Sequence, residues 1–147
     1  MNWVQDAKKI FKISKPEHFT NYEHCEECAE HDETLLSSAI DTIGLDELGS
    51  PGWDPICFST SEGKIYYMPA FVRLSLDTID NEFYLGQLIY HLESDGKNSD
   101  FYNACNDEQR KFIARLMEFM ITHYTAQLVL NGCEDEALKV YGIWAAI

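Results

Sequence analysis

The chain has 147 residues, of which 46% are hydrophobic and 13% aromatic; that is enough apolar material for one domain with a buried core, and it excludes global disorder. Acids outnumber bases 25 to 11, for a net charge of -14, a balance that repels nucleic acid and anionic membrane and favours cationic partners.

The first segment, Met1 to Ser14, holds Asp6 and three lysines and lacks the apolar run that an export signal requires. No stretch of roughly 18 uninterrupted apolar residues is present to span a bilayer; the densest one, around Ile113 to Ile121, carries Arg115 and Glu118. A cytoplasmic protein is therefore expected. Trp3, Val4, Ala7, Ile10 and Phe11 recur at helical spacing, which predicts an amphipathic helix docked on its own domain. Lys8, Lys9, Lys12 and Lys15 fall near its end, where they complement the helix dipole, and Pro16 marks a stop.

The next stretch carries most of the charge. Residues 16–63 contain twelve acids (Glu17, Glu23, Glu26, Glu27, Glu30, Asp32, Glu33, Asp41, Asp46, Glu47, Asp54 and Glu62) and no lysine or arginine. Leu35, Leu36, Ala39, Ile40 and Ile43 trace one face of a helix through it, with Asp32 expected as its cap and Glu33 in its first turn. The acidic surface is thus expected on folded structure rather than in a tail. Turn signals follow at Gly44, 49-GSPG-52, Asp54-Pro55 and 60-TSEG-63, around the short runs 56-ICFS and 65-IYYM; these are expected to pair as a small β-hairpin over residues 56–68.

Helical patterns resume after Pro69, through Phe71, Leu74 and Leu76, and then through Phe83, Tyr84, Leu88, Ile89 and Leu92, which Asp95-Gly96 closes. Asn106 with Gln109 three residues on is a capping-box pattern, and it opens the clearest helix, running past Tyr124 to Leu128. Gly132 ends that pattern, and a last helix over residues 135–144 is expected to return Trp144 and Ile147 to the core. The fold class is mostly α: a single compact domain over 1–147 with five or six helices and one hairpin, its acidic half at 16–63 and its helical half at 69–147.

Five cysteines form an odd set without an export signal, so reduced thiols are expected. Cys105 and Cys133 read as small buried or boundary residues. Chemistry concentrates in 24-HCEECAEH-31, where Cys25, Cys28 and His31 at i, i+3 and i+6 place soft ligands on one side of a helix or helical turn. Cys57 from the hairpin is the expected fourth ligand of one structural zinc ion, with His18 and His24 as alternatives. Redox use of the pair is opposed by Glu26, Glu27 and Glu30, which push thiol pKa values upwards. His91 and His123 show no serine or carboxylate relay in sequence, and no phosphate loop, HExxH or EF-hand spacing occurs.

Phe19, Cys25, Glu27, Cys28, Glu30 and His31, then Trp53, Pro55 and Phe58, then Tyr66, Pro69, Ala70 and Arg73 make up the motifs FTxxxxCxECxEH, WxPxxF and YxxPAxxR. In these the chain resembles a family of small bacterial proteins known as an uncharacterised domain. The resemblance covers roughly residues 11 to 75 and implies that the cysteine, histidine and hairpin elements belong to one unit. The expected function is non-enzymatic binding of a basic protein, as in an immunity or antitoxin protein that masks a basic toxin. The surface expected to carry it is Glu23, Glu26, Glu27, Glu30, Glu33 and Trp53. The alternative is a small metal- or thiol-dependent enzyme centred on Cys25, Cys28 and His31.

Overall fold

The structure, a computed structural model, describes residues 2–146. Nine α-helices follow one another among those residues: α1 (Trp3–Ile10), α2 (Glu26–Leu36), α3 (Leu45–Leu48), α4 (Ser61–Asp77), α5 (Leu85–Glu93), α6 (Asp100–Ala104), α7 (Asp107–His123), α8 (Thr125–Leu130) and α9 (Glu134–Ala145). Short 3₁₀ turns occupy Pro55–Phe58 and Gly96–Asn98. Helix α7 packs along α9 and also meets α1, which lies on α4, while α5 closes against α9.

The expected hairpin is absent: no strand occurs among the described residues, and 56-ICFS and 65-IYYM fall in a 3₁₀ turn and in α4. Thr60 caps α4 by accepting from the Gly63 N–H at 3.2 Å. The helix then buries Ile65, Tyr67, Met68, Ala70, Phe71, Val72 and Leu74. A helix enclosed on most sides shows a continuous apolar run, which periodicity alone does not separate from a buried strand. Pro69 does not break it, although proline has no N–H to give to the carbonyl of Ile65 and strains a helix interior. Gly63 is required by close approach: a Cβ there would lie 2.3 Å from Ser59 Oγ and 2.7 Å from the ring of buried Phe19.

Helix α1 forms as its pattern predicts, with Trp3 and Phe11 both edge-on to Phe112 of α7. It ends at Ile10, ahead of Pro16. Helix α2 differs from expectation at both ends. Cys25 rather than Asp32 is its N-cap, and it stops at Leu36 instead of continuing to Ile43. The Lys15 ammonium donates to the carbonyls of Leu36 (2.8 Å) and Ser38 (2.9 Å), satisfying acceptors that helix ends leave free. Ile43 still reaches the core, from a turn.

The capping box of Asn106 and Gln109 opens α7 as read from sequence. The long pattern divides at Tyr124, where the Thr125 hydroxyl donates to the Ile121 carbonyl and α8 begins. Helix α9 returns Trp144 to the core, its Nε1 donating to the Leu92 carbonyl at 2.9 Å; Ile147 lies outside the described residues. Cys105 is buried, and Cys133 is half-buried against the core.

Candidate functional site

The head of α2 is fixed by one buried carboxylate. Asp32 accepts hydrogen bonds from the backbone N–H groups of Phe19 and Thr20, and its Oδ2 lies 2.7 Å from His18 Nδ1. The Thr20 hydroxyl donates to the Cys28 carbonyl at 2.6 Å. Burial works to raise the Asp32 pKa, but the His18 imidazole and the two N–H groups outweigh it and hold the carboxyl below its ordinary 3.8. Together these bonds clamp residues 18–20 onto α2, so that the chain re-enters the helix through His24 and Cys25.

Cys25 caps α2 in an extended conformation, its sulfur 3.4 Å from the N–H of Cys28. The two sulfurs are 3.2 Å apart, and His24 Nδ1 is 3.6 Å from Cys28 Sγ. The Cys28 N–H, then the Cys28 thiol and His24, bring the exposed Cys25 thiol down to about 7. Cys28 moves the opposite way, chiefly through its bond with Cys25 and then through burial. His24, Cys25 and Cys28 present donor atoms all within 4.8 Å of one another and could hold a metal ion.

The four expected ligands are not brought together. His31 does not join the thiols: its ring is 2% exposed, stacked on Phe58 at 4.7 Å and tilted against Trp53 at 4.9 Å. The reason is local: each i+3 step turns about 60° around the helix, so His31 lies about 120° from Cys25, on the side that meets Trp53 and Phe58. Cys57 groups instead with Asp54 and His91, likewise within 4.8 Å, in a second set that could hold a metal. There Asp54 caps the 3₁₀ turn through the Ile56 N–H (2.9 Å), and its Oδ2 receives Gln87 Nε2 at 3.0 Å and lies 2.7 Å from His91 Nε2. Asp54 and His91 are both buried. Of the alternative fourth ligands, His18 stacks on Tyr22 and bonds Asp32, whereas His24 is at the thiols.

His31 carries two exposed aromatic rings. Trp53 is 52% exposed and Phe58 39%, both resting on His31, whose Nε2 is buried without a hydrogen-bond partner. Glu27 Oε1 approaches that nitrogen to 3.5 Å. Glu23, Glu26, Glu30 and Glu33 are exposed, and none forms a salt bridge among the described residues. The nearby bases serve carbonyls: Lys15 those at the end of α2, and Arg73 those of Ile40 (2.9 Å) and Ile43 (2.6 Å). Lys8 does pair with Asp41, at 2.6 Å.

Three cavities lie elsewhere. Cavities of about 830, 410 and 180 Å³ sit against α7 and α9, against α1, and beside Lys64 and His91. None of these three is lined by Cys25, Cys28 or His31. No helix among the described residues is long and apolar enough to cross a membrane.

Fold and site together define an all-helical protein with a dithiol–imidazole cluster at the head of α2, two exposed aromatic rings over His31, and exposed carboxylates along α2. The chain belongs to DUF6714, a family of unknown function, whose pattern matches residues 5–146. No curated protein matches it, and neither does any solved structure.

Proposed function

We propose that this is a non-catalytic binding protein that docks a basic protein on the exposed face of α2 and on Trp53 and Phe58. The observation that carries the reading is the aromatic pair left exposed over the buried His31 ring, on a protein whose exposed α2 carboxylates lack basic partners. Aromatic anchors with a charged surround are the usual makings of a hot spot, and uncompensated carboxylates attract a cationic surface over long range. An immunity or antitoxin protein covering a basic toxin is the specific form of this reading. Its setting is the cytoplasm, where thiols stay reduced, and its cofactor is one zinc ion.

The enzyme alternative is less well supported, since a reaction centred on Cys25, Cys28 and His31 needs a concave substrate site and the three cavities lie away from those residues. The test compares three immobilised baits in native extract at low salt: wild type, Trp53→Ala, and a variant with Glu23, Glu26, Glu30 and Glu33 changed to Lys. The expected result is a protein of basic composition retained by wild type and lost from both variants. Identical retention on all three baits would overturn the docking face.

A further inference from the structure

We propose that His24, Cys25 and Cys28 are the zinc ligands, as a three-donor site whose fourth position is open to solvent. This deepens the zinc reading given above by naming its ligands and coordination, and it does not depend on the basic partner. The donors are two sulfurs and one imidazole nitrogen, a set that suits zinc.

Distances support the assignment. Tetrahedral zinc with Zn–S near 2.3 Å and Zn–N near 2.0–2.1 Å separates two sulfurs by about 3.8 Å and a sulfur from a nitrogen by about 3.5 Å. The thiols stand at 3.2 Å and the His24–Cys28 pair at 3.6 Å, so the ion requires the sulfurs to part by about half an ångström, while the His24–Cys28 distance already matches a shared ion. His24 and Cys25 are exposed, which gives the ion an entry path. Charge is also accommodated: two thiolates, a neutral imidazole and a divalent ion sum to zero. The Glu27 carboxylate, which opposes a bare Cys28 thiolate, therefore does not oppose the loaded site.

No fourth donor joins the cluster among the described residues. The His31 ring is held between Trp53 and Phe58, Glu27 turns towards His31, and Cys57 stands with Asp54 and His91. A zinc ion with three protein donors completes its shell with water or an added ligand.

Cobalt(II) titration of the reduced protein tests this, because cobalt takes the same geometry and reports thiolate ligation and coordination in its visible and near-ultraviolet bands. One cobalt per chain is expected, with thiolate charge-transfer bands that zinc displaces. Those bands should vanish in Cys25→Ser and in Cys28→Ser and weaken in His24→Ala. They should persist in Cys57→Ser and in His31→Phe, which keeps the aromatic stack, and added imidazole should shift the ligand-field bands of wild type. Circular dichroism of the serine variants separates loss of ligation from loss of fold. The proposal is overturned if wild type gives no thiolate band, if Cys57→Ser or His31→Phe abolishes it, or if imidazole leaves the spectrum unchanged. A residual band in the Cys25→Ser, Cys28→Ser double variant that depends on Cys57 would move the ion to the Asp54 group, and also overturns it.

Discussion

Asp32 is the residue on which the site's geometry rests, since one carboxylate holds His18 and the backbone of Phe19 and Thr20 against α2. Asp32→Ala should cost about 2–3 kcal/mol, the scale of lost charge-assisted hydrogen bonds that leave buried donors unpaired, readable by urea denaturation. Its folded pKa lies below the ordinary 3.8, so the unfolded chain takes up the proton first as pH falls. The contribution is therefore fully present above the ordinary value and is lost as pH drops through the folded one. Wild type should lose stability across that acidic window more steeply than Asp32→Ala does. In the sequence, Asp32 read as a cap because it precedes an apolar pattern; its partners lie 12 to 14 residues back, beyond any local rule. Cys25 and Cys28 were legible from their spacing alone. Asp54 and His91 were not joined, because 37 residues separate them, and Asp54-Pro55 read only as a turn signal.

Helix α2 is where stability and the proposed binding act against each other. Glu26 and Glu30 stand at i, i+4 and Glu30 and Glu33 at i, i+3 on exposed positions, and such like-charge pairs destabilise a helix by a few tenths of a kcal/mol each. Glu30→Lys turns both into attractive pairs, so it should stabilise the free protein by about 0.5 kcal/mol. The same change should slow capture of a basic partner, and a melting curve beside an association rate reads both effects. Other elements show where sequence patterns suffice. Helices α1, α7 and α9 were predicted from their apolar patterns, and the capping box marked the start of α7, although its end was placed at Gly132, beyond the break at Tyr124. Helix α4 was divided into a strand and a later helix, because its apolar residues surround it and Pro69 lies inside. The i, i+3, i+6 rule misplaced His31 because three-residue steps turn steadily around the helix and carry His31 to the side that meets Trp53 and Phe58.

At the scale of the whole molecule the net charge of -14 is unevenly used. Asp32 and Asp54 are buried against histidines and Asp41 pairs with Lys8, while the exposed acids of α2 face solvent without basic partners. One α-helical domain was legible from composition and periodicity, and so was the concentration of acid in residues 16–63. That α2 also carries an aromatic pair emerged only once His31 was seen beneath Trp53 and Phe58. Long-range attraction sets association rates, whereas buried anchors set dissociation. The direct measurement is the association rate of wild type with the basic protein it retains, taken at several salt concentrations and repeated with Glu23, Glu26, Glu30 and Glu33 changed to Lys. The rate for wild type should fall steeply as salt shortens the screening length from about 10 Å at 0.1 M, and the variant should associate slowly with little salt dependence. An association rate indifferent both to salt and to the four reversals would contradict the account.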